Sequence, residues 1–154
     1  SKLCQNGMRN GVAAVTGVTS GECDRNDVLR RFAIALGGEG VRVGQKLGYR
    51  LEKMGELDCE KIALASEGNT EALAEVERIM VGRTSSNPRA GIQRPSMAQD
   101  MAKGRRTEIE FMNGYISRKG REVGIPTPSH DRLVELVLKV ERGELKPSPA
   151  NLGA

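Results

Sequence analysis

The chain has no tryptophan, two tyrosines, two phenylalanines, one histidine and three cysteines among its 154 residues. With so few aromatic side chains, the core must be built mainly from Leu, Val, Ile, Met and Ala, which suit packed helices better than β-sandwiches or barrels. Apolar runs also fall far short of the roughly 20 residues that a membrane-spanning helix needs. The sequence therefore predicts an all-α domain of about six helices, with no transmembrane segment.

Cysteine and histidine are too scarce for several kinds of catalytic site. Cys4, Cys23 and Cys59 are odd in number and lack a CxxC pair, which favours reduced thiols in a cytoplasmic protein. No secretory signal is visible at the start of the sequence. His130 is the one histidine, and we expect it to be exposed in the first turn of a helix. A zinc centre and a Ser/His or Cys/His catalytic pair therefore lack their parts, and we predict no metal.

Charged residues of both signs are interspersed along the chain. Lys and Arg number 24 against 20 Asp and Glu, for a net charge of +4. Interspersed charge is typical of a solvated surface, whereas nucleic-acid binding usually needs a one-sided basic stripe. Neither a Walker sequence nor a G-x-G-x-x-G loop after a strand is present, so the chain itself has no recognisable cradle for nucleotide phosphates.

Apolar periodicity and helix-stop signals divide the chain into helical segments. Glycines at 37, 38, 40 and 44 predict a kink or a close backbone approach within the second helix. Ser96 and Gln99 have the form of a capping box, and Ser129 is a candidate cap of the last helix. We predict helices over 2–15, 25–49, 57–64, 72–80, 97–123 and 130–142, a long loop over 82–95 and a flexible tail over 143–154.

A row of polar side chains occupies the first predicted helix. Lys2, Asn6 and Asn10 are spaced four residues apart, which places one ammonium and two carboxamides along one ridge. Such groups can grip a small oxygen-rich molecule, with Lys2 donating to an oxygen that gains negative charge. A solvated helix face explains the same residues without a ligand.

A second polar group lies near the start of the predicted 97–123 helix. On a straight helix, Glu108 would be rotated about 120° from Ser96 and would lie roughly 18 Å further along the axis. Capping by Ser96, a favourable helix end for Asp100 and pairing of Glu108 with arginines would account for these residues without a site. The group comprises Ser96, Gln99, Asp100, Thr107, Glu108 and Glu110.

Together, the two segments resemble the C-terminal domain of the ketopantoate reductase (2-dehydropantoate 2-reductase) family. The family's K-L-x-x-N-x-x-x-N helix is matched by residues 2–10, and its Thr-Gly and Gly-Glu pairs by residues 16–17 and 21–22. Its S-M-x-Q-D and R-x-T-E-I-[DE]-x-x-N-G motifs are matched by 96–100 and 105–114, and its G-x-P-x-P turn by 124–128. The resemblance covers nearly the whole chain and is weakest over 40–92.

The resemblance implies a helical domain like the C-terminal domain of 6-phosphogluconate dehydrogenase, over residues 1–142 and without a Rossmann sheet. The intact enzyme would also carry an N-terminal Rossmann domain that holds most of the NADP(H), and the two domains would enclose the substrate. Its reaction would be the reduction of 2-dehydropantoate to pantoate, in pantothenate and coenzyme A biosynthesis. Because the chain begins at Ser1, we expect that it is a piece of that enzyme, and because it has no nucleotide cradle, we expect it to be inactive alone.

By the same resemblance, Lys2 matches the general acid and Glu108 an active-site glutamate, which would keep Lys2 charged and aimed. Asn6 and Asn10 match substrate-binding asparagines, and Ser96 matches a serine that binds the substrate carboxylate. Two further candidates are Asp100 and Ser20, the latter standing where the family has another substrate-contacting asparagine. We predict that Lys2 and Glu108 converge, with Ser96 flanking the cleft.

Two other functions remain open at this point. The departure at Ser20 leaves room for a reductase of a different 2-keto acid. A stand-alone helical module that binds a partner protein or nucleic acid would also account for a basic chain without its own phosphate loop. A homodimer is compatible with each of these functions.

Overall fold

The computed structural model describes the backbone of all 154 residues and the side chains of all except Ala90 and Gly91. The described chain is all-α, as predicted, and its one β-type contact is an isolated bridge between Met54 and Leu57. No helix in this part is long and apolar enough to cross a membrane. The elements are α1 (Lys2–Thr16), α2 (Ser20–Arg25), α3 (Asp27–Lys46), α4 (Cys59–Ser66), α5 (Thr70–Ser86), α6 (Pro88–Ile92), α7 (Ser96–Ala102), α8 (Asn113–Val123) and α9 (Pro128–Glu141), with 3₁₀ turns at Ile109–Phe111 and Pro149–Leu152.

The α1 helix lies at the centre and contributes to two buried apolar clusters. Met8 packs with residues of α3, α4 and α5 in one cluster. Val12 and Val15 pack with residues of α2, α3 and α9 in the other. Because both clusters use the same side of α1, the opposite side is left for polar residues.

The glycines of α3 permit close packing of its neighbours. A Cβ atom at Gly37 would lie 2.8 Å from both Ile62 and the Met8 sulfur, and one at Gly40 would lie 3.2 Å from the Cys4 sulfur. The helix is unbroken over Asp27–Lys46. Of the two predicted explanations, close approach is therefore confirmed.

The single helix predicted over 97–123 is wrong. Gly104 adopts a left-handed backbone with φ 67°, which ends α7, and the chain then runs through a turn and a short 3₁₀ segment before α8 begins. The Thr107 backbone N–H donates to the Glu141 carboxylate at 2.7 Å, which fixes this connection against α9. Apolar residues keep helical spacing across the break because α7 and α8 both bury one side.

Two segments expected to lack regular structure are ordered in contact with the core. Most of the loop predicted over 82–95 is helical, because α5 continues to Ser86 and α6 follows it. Within the predicted flexible tail, residues 149–152 form a 3₁₀ turn with Leu152 buried. The Ser148 backbone N–H and the Asn151 side chain both donate to the Val15 carbonyl, at 3.0 Å each. This anchors the tail on the end of α1.

The prediction of an exposed His130 is also wrong, because its side chain is completely buried. The Asn113 amide lies 3.1 Å from Nδ1, and the Leu36 carbonyl oxygen lies 2.9 Å from Nε2. With the amide donating, Nδ1 accepts and Nε2–H donates to Leu36, which assigns the neutral tautomer. Burial lowers the pKa of His130 to about 4. The Glu39 carboxylate, and not Ser129, accepts from the first backbone N–H groups of α9.

Candidate functional site

The predicted ridge on α1 is present and faces away from the core. Lys2 is exposed, Asn6 and Asn10 are half-buried, and Met8 and Val12 on the other side of the helix are buried. Lys2 and Asn6 make no hydrogen bond or ion pair with any described side chain, and Asn10 makes one weak contact. The ridge therefore offers one cation and carboxamide groups that remain available to a ligand.

The chain between α7 and α8 crosses the middle of α1. The Asn10 amide contacts the Met112 sulfur at 3.8 Å, and the Asn113 amide donates to the Gly7 carbonyl at 2.9 Å. A Cβ atom at Gly11 would lie 3.1 Å from Ile109. Because the chain bends between α7 and α8, the separation of Ser96 and Glu108 estimated for a straight helix does not apply.

Glu108 itself is exposed and immediately precedes the Ile109 contact with α1. Its side chain makes no hydrogen bond or ion pair with any described residue, Lys2 included. Gly11 lies nine residues beyond Lys2, about 14 Å along the helix axis. A direct Lys2–Glu108 contact would thus require both side chains to extend along α1, and their convergence stays a prediction.

The two serine candidates occupy the first positions of α2 and α7. The Ser20 backbone N–H donates to the Gln93 carbonyl at 3.3 Å, which holds the chain just before Ser96 against the start of α2. The Ser96 side chain is exposed and makes no capping hydrogen bond, because Pro95 is the N-cap residue. The predicted capping box is therefore absent, and Gln99 instead donates to the Arg94 carbonyl.

Asp100 lies four residues after Ser96 on α7. Its carboxylate is 3.8 Å from Arg105, across the turn that ends the helix. Its backbone carbonyl accepts from the N–H groups of Lys103 and Arg105. These contacts support a role of Asp100 in closing the turn, and its role at the site stays a prediction.

An arginine–carboxylate pair beside the ridge was not anticipated from the sequence. Arg9 of α1 donates to both carboxylate oxygens of Asp24, at 3.1 and 3.3 Å. Asp24 is only 2% exposed and also accepts from the Thr84 hydroxyl at 3.1 Å. Burial raises the pKa of Asp24, and Arg9 opposes the shift. The spacing of Arg9 from Lys2, seven residues on the same helix face, was the available signal.

A groove of about 700 Å³ lies elsewhere, between the end of α1, α7 and the chain after α9. Four of its side chains are basic, while none of Lys2, Asn6, Asn10, Ser96 and Glu108 lines it. The predicted site residues thus lie outside this groove, with Lys2, Asn6 and Asn10 on the polar side of α1. Among the described residues, no cluster of His, Cys, Asp or Glu could hold a metal ion.

Comparison with known proteins agrees with this helical domain and its motifs. Residues 1–141 match the family model for the ketopantoate reductase PanE/ApbA C terminal. The chain is 34% identical over 143 residues to the 2-dehydropantoate 2-reductase of Archaeoglobus fulgidus, covering 93% of this chain and 40% of that protein. The chain therefore belongs to the ketopantoate reductase family and matches its C-terminal domain.

Solved structures of relatives share the fold. D-mandelate dehydrogenase, solved with NADH and anilino(oxo)acetate, superposes with a TM-score of 0.68 and 30% identity, over 92% of this chain and 40% of that one. The PanE/ApbA family ketopantoate reductase of Ralstonia eutropha superposes with a TM-score of 0.62 and 26% identity, over 93% and 40%. The chain spans about 40% of the length of these relatives.

Proposed function

We propose that the intact protein reduces a 2-keto acid with NADPH, most simply 2-dehydropantoate to pantoate, and that this chain supplies the substrate-binding wall. The observation that carries the proposal is the polar ridge of α1, where Lys2 and Asn6 have no partner among the described side chains. Polar groups left available on a central helix, in a chain that matches the reductase family over 1–141, are suited to a polar substrate.

The residues of this chain can perform the proton half of the reaction. When bound, the nicotinamide cofactor supplies a hydride to the C2 carbon of the keto acid. Lys2 then donates a proton to the carbonyl oxygen as negative charge develops there, which completes the alcohol. Asn6 and Asn10 hold the polar groups of the substrate, Ser96 donates to its carboxylate, and Glu108 orients Lys2.

The nucleotide part of the cofactor does not fit the residues present. The described chain has helices throughout and no strand followed by a Gly-rich turn, which is the usual cradle of a dinucleotide. We place the nucleotide-binding residues in an N-terminal Rossmann domain of the intact protein. We infer that the 154-residue chain has no turnover by itself, because its described residues contain no such cradle.

A second candidate is a reductase of a bulkier 2-keto acid. The similarity to D-mandelate dehydrogenase, at 30% identity over 92% of this chain, favours it. So does Ser20, which is shorter than the asparagine expected at that place and leaves more space beside α2. NADH would then be the cofactor to compare with NADPH.

A substrate screen of the purified full-length protein tests both candidates. Initial rates are measured with NADPH and with NADH on 2-dehydropantoate and on aliphatic and aromatic 2-keto acids. The highest kcat/KM on 2-dehydropantoate with NADPH supports the first candidate, and the highest on an aromatic acid supports the second. Absence of reduction with every 2-keto acid overturns the proposed function. Turnover by the isolated chain contradicts its assignment as an inactive half.

A further inference from the structure

Arg9 lies on the polar side of α1, next to Lys2 around the helix and on the side of Lys2 away from Asn6. At 100° per residue, Arg9 is rotated about 20° from Lys2 on one side, and Asn6 about 40° on the other. Arg9 is seven residues from Lys2, about 10 Å along the axis. Its long side chain can therefore approach the same ligand that Lys2 and Asn6 contact.

A buried carboxylate holds one end of the Arg9 guanidinium in place. Nη2 donates to both oxygens of Asp24, whose side chain is 3% exposed. Asp24 is fixed in turn by the Thr84 hydroxyl at 3.1 Å, and Arg83 lies 3.8 Å away. Because its partner is buried and anchored on two helices, Arg9 has less freedom to lose when it binds a ligand.

The remaining donors of Arg9 are free to meet a ligand. Nε and Nη1 make no hydrogen bond with any described residue, and both atoms are accessible to solvent. The Arg9 side chain is 18% exposed. A guanidinium has five N–H groups in a planar fork, so one edge can hold Asp24 while other N–H groups donate to a second carboxylate.

Arg9 also contacts the helix that carries Ser20, one of the two serine candidates. Ser20 and Asp24 are four residues apart on α2 and so share the face that meets α1 at Arg9. The Ser20 N–H bonds the Gln93 carbonyl, three residues before Ser96. Arg9 thus contacts the helix that begins at Ser20, and that helix is hydrogen-bonded to the segment just before Ser96.

We propose that Arg9 binds the carboxylate of the 2-keto acid, with Asp24 as the residue that positions it. This inference rests on the proposed function, and it adds a cation at a variable position of the K-L-x-x-N-x-x-x-N motif. The substrate keeps its carboxylate from ground state to product, so Arg9 stabilises all bound states about equally. Loss of Arg9 should therefore act on KM far more than on kcat.

The test compares an acid with its uncharged ester in the full-length enzyme. Arg9→Met should raise KM for the preferred 2-keto acid roughly 10- to 100-fold, the usual range for a hydrogen bond to a charged group, with kcat changed less than about threefold. On the methyl ester of the same acid, the KM of this variant should stay within about threefold of the wild type. Arg9→Lys should recover only part of the affinity for the acid, because an ammonium cannot make the two parallel hydrogen bonds of a guanidinium.

Two matched variants separate recognition from folding. Arg31→Met removes an arginine that is 63% exposed and pairs with Glu77, and should leave both KM values unchanged. Asp24→Asn should raise KM for the acid and not for the ester, because the guanidinium loses its anchor. Circular dichroism and thermal melts report whether each variant is folded.

Each outcome decides a different claim. Equal losses on acid and ester, or an unchanged KM for the acid in Arg9→Met, overturn the role of Arg9 while the wild-type activity still supports the proposed function. A wild-type enzyme that reduces no 2-keto acid overturns the proposed function, and the role of Arg9 with it. A selective loss on the acid that Arg9→Lys partly restores supports the assignment.

Discussion

The two sides of α1 differ in how closely they are packed and in how many of their polar groups are paired. The buried side uses small residues, so that Gly7 and Gly11 meet neighbouring side chains closely and little space is left. The polar side leaves Lys2 and Asn6 without partners among the described side chains. On the buried side of α1, added side-chain volume should therefore destabilise the domain. On the polar side, removal of polar groups should change stability little and lower activity strongly.

Removal of the Lys2 ammonium is expected to give the largest effect. In the full-length enzyme, Lys2→Ala should lower kcat by roughly 10²- to 10⁴-fold, the range for a positioned general acid. The melting temperature should hardly move, because Lys2 makes no ion pair or hydrogen bond with a described side chain. Steady-state kinetics and a thermal melt of the same preparation measure both. An unchanged kcat would remove Lys2 from the mechanism.

The buried side of the domain can be tested through the protonation of His130, which should lower folding stability. The pKa of this group is about 4 in the folded chain, against an ordinary 6.5, because burial disfavours the charged ring. The unfolded chain therefore binds more protons between these values, so stability is fully present above pH 6.5 and falls as pH drops toward 4. The loss amounts to at most about 3 kcal/mol.

Denaturant titrations of the 154-residue chain from pH 7 to pH 4 measure this loss. The chain has one histidine, so an NMR titration of its ring protons follows the group without ambiguity. A ring that titrates near pH 6.5 would contradict the assigned burial. Carboxylates also titrate in this range, which makes the ring titration the decisive measurement.

A methyl group added at Gly11 should disrupt the packing of α1. The new Cβ would lie 2.7 Å from Leu133 and 3.1 Å from Ile109. Gly11→Ala is expected to destabilise the domain by about 1 to 3 kcal/mol through overpacking, despite the better helix propensity of alanine. Urea unfolding of the domain gives the change directly.

Gly82 provides the matched control for this substitution. It lies inside α5 with no atom within 4 Å of an added Cβ. Gly82→Ala should stabilise the domain by about 0.5 to 1 kcal/mol, since only the backbone entropy and helix propensity change. Equal effects at positions 11 and 82 would show that packing does not distinguish the two glycines.

The sequence predicted the helices that carry their own signals and missed contacts made across the chain. The bounds of α1 and most of α3 follow from apolar spacing and from nearby caps. The break after α7 was hidden because Met101 and Ile109 keep helical spacing across Gly104. Residues next to His130 are polar, which suggested exposure, but its partners Leu36 and Asn113 come from distant segments.

The site was predictable only as motifs. The positions of Lys2, Asn6 and Asn10 follow from helical periodicity alone. The relation of Glu108 to that ridge depends on a chain bend, and the relation of Ser20 to Ser96 depends on one backbone hydrogen bond to Gln93. Periodicity alone does not single out Arg9, because its side chain is held by Asp24, a buried partner from another helix.

Ser96 gives the smallest expected effect and separates two explanations of one residue. A capping serine would cost about 1 kcal/mol when replaced by alanine. Ser96 makes no capping hydrogen bond, so Ser96→Ala should change the free energy of unfolding by less than about 0.5 kcal/mol. Asn26→Ala is the control, because the Asn26 side chain accepts from the Leu29 N–H at 3.0 Å and should show the full capping loss. If Ser96 binds the substrate carboxylate, KM should rise several-fold in the same Ser96→Ala variant, through loss of one hydrogen bond. A stability loss at Ser96 that matches the loss at Asn26 would restore the capping role.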